Sequence, residues 1–175
     1  MPINASKRRT FLARKKALAV TKPCGFSSLA NAGLLGKRGL LAIAHPGHEL
    51  RVFGWVSEVH PRVLVLTDGS GSSRTSRIES SRALLAGCKA EPSDVFGLMS
   101  DRELYDLLLN GLHRATEWHQ LLEWFVHELT DHAIDYVVGD AVEGINTGHD
   151  ILRELVNVAV VLASERRGQA IRNYA

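Results

Sequence analysis

Cysteine is scarce in this chain: two residues, Cys24 and Cys88, in 175. Two thiols cannot build a disulfide framework or a cysteine-rich zinc site, so a reducing compartment is the simplest setting. Long apolar runs are missing too. The longest, Leu155 to Ala163, is interrupted by Asn157 and falls short of the roughly 20 residues that span a bilayer. No secretory leader is evident, because Ala17 to Val20 is too short for its apolar segment. Acid is absent from residues 1–39, which hold nine Lys/Arg; the remainder holds 12 basic and 19 acidic residues, a net of −7. The overall charge of +2 therefore joins a basic tail to an acidic domain. No folded nucleic-acid motif accompanies the tail, so residues 1–38 read as a basic, weakly ordered extension and no nucleic-acid partner is expected. A Walker lysine is lacking. So is a complete dinucleotide fingerprint: Gly69-Ser70-Gly71 is followed by Arg74 where the third glycine would stand.

What remains is an ordinary globular composition, 45% hydrophobic and 23% charged, enough for one domain with its own core over residues 39–175. Leu40–Ala44 and Val63–Leu66 are short apolar runs of the kind found in buried parallel strands; Val95–Leu98 and Ile134–Val138 are weaker ones. Helical spacing covers 48–59, 77–87, 113–132 and 149–164. Ser100-Asp101-Arg102-Glu103 is a capping box that opens a further helix to about Asn110. Strands alternating with helices predict an α/β fold: a Rossmann-like parallel sheet with helices on both faces. Ligands of such sheets bind beyond the carboxyl ends of the strands, which directs attention to loops 45–49, 67–77 and 139–150.

His45-Pro46-Gly47-His48-Glu49 directly follows the first strand. Pro46 and Gly47 bend the backbone so that both imidazoles can sit on one side of the turn, a spacing suited to a first-row metal. Two ligands hold zinc poorly. His149 is the best third, because it opens a helix, and a helix N-terminus favours the neutral, ligating imidazole. Three ligands with an open position is the arrangement of catalytic zinc. His127-Glu128-Leu129-Thr130-Asp131-His132 looks like a second zinc motif but is one residue too long. Its histidines fall about 140° apart around a helix and read as solvated. Asp68 ends the second strand, within reach of the site, and Arg77 is a plausible clamp for a substrate hydroxyl or phosphate.

The segment Leu41–Glu49 resembles the signature of the LmbE-like, or PIG-L, de-N-acetylase family, Ala-His-Pro-Asp-Asp-Glu after the first strand. Val65-Leu66-Thr67-Asp68-Gly69 with Arg77 and Glu79 is similar to the family's second-strand segment. Asn146-Thr147-Gly148-His149-Asp150 stands where it has His-Pro-Asp-His. The resemblance covers roughly 40–163. It implies a Rossmann-like zinc hydrolase that removes an acetyl group from an amino sugar or its conjugate, in a cytoplasmic setting, with a homo-oligomer possible. It implies zinc at His45, His48 and His149, a His₃ set in place of the family's His₂Asp. The family's basic aspartate falls at Gly47, and its carbonyl-polarising histidine at Asn146. Glu49, Asp68, Asp140 and Glu143 are the local carboxylates left to move a proton, and Asn146 can still donate to an oxyanion. The alternative is a catalytically silent sugar- or metal-binding relative in glycoconjugate biosynthesis. The family domain usually continues past the last helix, so Ile171–Tyr174 reads as the start of a further strand in a C-terminally incomplete domain.

Overall fold

The structure, a computed structural model, describes residues 33–175. The basic extension read over residues 1–38 lies, as far as residue 32, outside the described residues. Five parallel strands form one sheet: β1 (Gly39–Ile43), β2 (Arg62–Thr67), β3 (Glu91–Met99), β4 (Tyr136–Gly139) and β5 (Arg172–Tyr174), in the order β3-β2-β1-β4-β5. The helices are α1 (Phe53–Val59), α2 (Ile78–Cys88), α3 (Asp101–Asn110), α4 (Ala115–Asp131) and α5 (Thr147–Arg167).

The alternation of side chains along β1 sorts them onto two faces. Leu40, Ala42 and Ala44 join Leu64 and Leu66 of β2 beneath Leu104 of α3, Leu121 and Phe125 of α4, and Leu152 and Val156 of α5. Leu41 and Ile43 join Val63 and Val65 against Val56 of α1 and Ile78 and Leu85 of α2. Both faces are covered, which is why β1 from Leu40 onward and β2 from Val63 to Leu66 are apolar at every position rather than at every second one. The predicted architecture is the observed one. No helix among the described residues is long and apolar enough to cross a membrane.

Several boundaries differ from the sequence reading. The helix expected over 48–59 is a 3₁₀ turn, His48–Val52, that passes into α1. Gly47 precedes it at φ +107°, a left-handed conformation that favours glycine and reorients the chain before α1 can begin. The third strand runs nine residues, Glu91–Met99, where only 95–98 read as strand. As an edge strand it tolerates Pro92, Asp94 and irregular pairing with β2, features that break a hydrophobic pattern and blunt an exposed edge. The capping box of α3 is present, with Ser100 and Glu103 each bonding the other's backbone N–H. His132 is corrected from solvated to half-buried, 3.8 Å from Asp94 and 4.0 Å from Glu128.

Candidate metal centre

β1 has β2 on one side and β4 on the other, so the chain reverses its direction of travel across the sheet there. In parallel sheets such a switch point is where a ligand crevice forms, here beyond the carboxyl end of β1. Three histidines enter it. His45 leaves the end of β1, His48 opens the 3₁₀ turn after Gly47, and His149 lies in the first turn of α5. Their rings cluster, with centroids 5.8 Å apart for His45 and His48, 5.3 Å for His45 and His149, and 4.6 Å for His48 and His149.

Each imidazole has a carboxylate at Nδ1. Asp101 Oδ1 lies 2.8 Å from Nδ1 of His45, and Asp140 Oδ1 lies 3.0 Å from that of His48. Glu143 Oε2 stands 3.1 Å from Nδ1 of His149, an ion-pair distance without hydrogen-bond alignment, so this buried nitrogen has no formed hydrogen bond. The carboxylates are anchored in turn. Thr67 Oγ1, fully buried, lies 2.6 Å from Asp101 Oδ1, and the Gly71 N–H donates to Asp101 Oδ2 at 2.6 Å. The Ala44 N–H donates to Asp140 Oδ2 at 2.8 Å. A carboxylate at Nδ1 fixes the tautomer and leaves Nε2 as the lone-pair donor, the usual outer shell of a metal-ligating histidine. Nε2 of His45 and of His48 makes no protein hydrogen bond among the described residues, whereas Nε2 of His149 meets the Asn146 amide at 3.0 Å. Asn146 caps α5 by accepting the Gly148 N–H on Oδ1, which turns its NH₂ toward His149.

The electrostatics follow from burial. Desolvation lowers the pKa of His45, and Asp101 only partly offsets it. Burial alone would raise the carboxyl pKa of Asp101. Hydrogen bonds from Thr67 and Gly71, with His45 beside them, outweigh it and hold Asp101 below its ordinary value. Asp140 is likewise held low against its own desolvation, by His48 and the Ala44 N–H. An anionic Asp101 behind a neutral His45 is the charge state in which imidazole offers a lone pair.

One donor atom each from His48, Asp140 and His149 lies within 4.8 Å of the others, so this trio can converge on one ion. His45 flanks the trio without belonging to that tightest group. A second group, Asp94, Glu128 and His132, is spaced similarly. There the guanidinium of Arg62 already supplies the cation, 2.5 Å from Glu128 Oε1 and 3.8 Å from Asp94.

The other residues singled out in the sequence are arranged around the turn. Glu49 is only 2% exposed; its carboxylate accepts the Gly47 N–H at 2.7 Å and a short hydrogen bond from Ser81. It ties the histidine turn to α2 and makes no hydrogen bond with the imidazoles. Asp68 accepts the Ser70 N–H at 2.9 Å and shapes its own loop. Arg77 donates from Nε to the Gly69 carbonyl at 2.7 Å, and a Cβ placed on Gly47 would lie 3.8 Å from its Nη1. Its guanidinium therefore sits beside the turn, exposed, with no acid partner among the described residues. Asp101 and Thr67 do not stand out in the sequence. An acid in a helix's first turn is accounted for by the macrodipole, and a threonine ending an apolar strand carries little signal of its own. Comparison with family models, with curated proteins and with solved structures finds no match to this chain.

Proposed function

We propose that the crevice beyond β1 is a zinc site and that the chain is a metal-dependent amidohydrolase that removes an N-acetyl group from an amino sugar or its conjugate. The observation that carries the reading is the set of three clustered imidazoles, each with a carboxylate at Nδ1. A surface histidine rarely has one such partner, and carboxylate-backed neutral imidazoles suit a first-row divalent ion. His45, His48 and His149 would hold the ion, with Asp140 close enough to join them. Zinc in such a site supplies Lewis acidity and an acidified water.

The chain's own residues divide the rest of the work. Hydrolysis joins the oxygen of water to the acetyl carbon, breaks the C–N bond and transfers a proton to the departing amine. The family's aspartate is absent at Gly47, Glu49 is consumed by Gly47 and Ser81, and Asp68 by Ser70. Glu143 is the local carboxylate with free capacity: its side chain is 38% exposed, its carboxylate accepts no hydrogen bond among the described residues, and it stands between His149 and Arg51, 3.9 Å away. Glu143 would take the proton from water on its carboxylate and return it to the amine. With Nε2 of His149 taken up by the ion, the Asn146 amide that meets that nitrogen at 3.0 Å would be released and, oriented by its own cap bond, would then donate to the carbonyl oxygen as charge develops there. Arg77 would hold a hydroxyl or phosphate of the sugar.

A binding-only relative is the second reading, and the left-handed Gly47 favours it, because the turn is built around a residue that cannot carry a proton. The test is zinc content of the purified chain, followed by acetate release from N-acetylglucosamine and its conjugates. Zinc at one per chain with acetate release that Glu143→Gln abolishes supports the hydrolase. Bound zinc without acetate release leaves the binding relative. No zinc, even after addition, rejects both metal readings.

A further inference from the structure

One cavity lies away from the histidines. It is a groove of about 530 Å³ between α3 and α4, past the end of β3. Its floor carries Leu98 and Trp124, exposed by 37% and 43%. Its rim carries Glu103, Asp106 and Glu117 against one cation, Arg114, which spans Asp106 at 3.0 Å and Glu117 at 2.9 Å. Three acids and one base leave a net of −2 over an apolar floor. Such a surface fits an occupant with basic side chains and apolar ones between them.

The chain contains one segment of that composition. Residues 1–32 carry seven Lys/Arg, no acid, and Phe11 and Leu12 between Arg9 and Arg14. They join the described chain at Gly33, beside Arg172 of β5, at the opposite edge of the sheet from β3. Thirty-two residues extend to about 100 Å, against a domain radius of gyration of about 15 Å, so the groove is within reach. We propose that the basic N-terminal segment docks in the acid-rimmed groove between α3 and α4 of its own chain, with Phe11 and Leu12 on the Leu98 and Trp124 floor. This inference is independent of the metal reading.

The test uses full-length protein and chymotrypsin, which cuts after Phe11. Four chains are compared: wild type, D106K/E117K, R14E/K15E/K16E, and the two sets combined. The expected result is slow cleavage in wild type, cleavage faster by about tenfold in either charge-reversed chain, and slow cleavage again in the combination. Recovery in the combination separates docking from simple unfolding of the D106K/E117K chain. One rate after Phe11 in all four chains overturns the proposal. So does protection that rises with protein concentration, which would place the segment on a second copy.

Discussion

His45 and Asp101 lie 56 positions apart in the chain and meet through a 2.8 Å contact between Nδ1 and Oδ1. This pair joins the end of β1 to the first turn of α3 and orients the ring that flanks the proposed ion. Replacing Asp101 with Asn should lower zinc affinity by about 10–100-fold, the usual cost of removing such a partner. Competition with a chelating dye measures it, with circular dichroism to confirm that the fold is retained. Unchanged affinity would remove Asp101 from the site's outer shell.

The donor set itself is open to a direct comparison. His48→Ala and His149→Ala should each abolish zinc binding. His45→Ala should do the same if three imidazoles hold the ion, with Asp140→Asn then costing only the outer-shell factor of about 10–100-fold. The reverse pattern, loss with Asp140→Asn and retention with His45→Ala, would assign the ion to His48, Asp140 and His149, whose donor atoms lie closest together.

Gly47 sits at φ +107°, and a Cβ there would meet Nη1 of Arg77 at 3.8 Å, an ordinary van der Waals contact. Sterics of the side chain are therefore not the obstacle to Gly47→Asp; the backbone is. The substitution should cost about 1–2 kcal/mol in urea unfolding, the price of placing an L-residue there. No loss of stability would mean that the turn relaxes to another conformation, which would also move His48.

Acid should destabilise the metal-free protein in two stages. His45 is held below its ordinary 6.5 by burial, so as pH falls past 6.5 the unfolded chain gains a proton that the folded chain refuses. Stability is therefore full above that value and declines as pH drops toward the lowered folded one. Asp101 and Asp140 are held below 3.8, so their contribution persists above 3.8 and is lost as pH falls through their lowered values. Thermal melts from pH 7.5 to 4.5 in a chelator should show the first stage, and His45→Gln should flatten it. An equal slope in that variant would assign the acid sensitivity elsewhere.

Glu128 is almost fully buried, and Arg62 lies 2.5 Å from its carboxylate. Arg62→Ala would strand that carboxylate and should destabilise by about 3 kcal/mol, whereas the double substitution Arg62→Met with Glu128→Leu should be close to neutral. Chemical denaturation of the single and double variants gives the comparison. A mild single-variant effect would show that His132 or water takes over the carboxylate.

The central strands were legible because both faces of β1 and β2 are covered, which forces apolar residues at every position from Leu40 to Ala44 and from Val63 to Leu66. The His45–Glu49 turn was legible because it breaks such a run with two imidazoles. The length of β3 was hidden, since an edge strand can hold Pro92 and Asp94. The partners of the histidines were harder. Asp101 looks like any first-turn acid, and only the packing of α3 beside the end of β2 turns it inward. In the sequence Asp140 is one carboxylate among several; its hydrogen bond from the Ala44 N–H, 96 positions away, exists only once β4 pairs with β1.

That last pairing sets an order of events. Strands β1 and β2 are joined by a short excursion, whereas β4 must close a loop of nearly a hundred residues before it can zip onto β1, and loop-closure entropy delays such contacts. Asp140, Glu143 and His149 all follow β4 in the chain, so the crevice is assembled only when that late closure is complete. Ion uptake during refolding would thus be a clock for the final step, silent while the β1–β2 half forms and rising only as the second half of the sheet arrives.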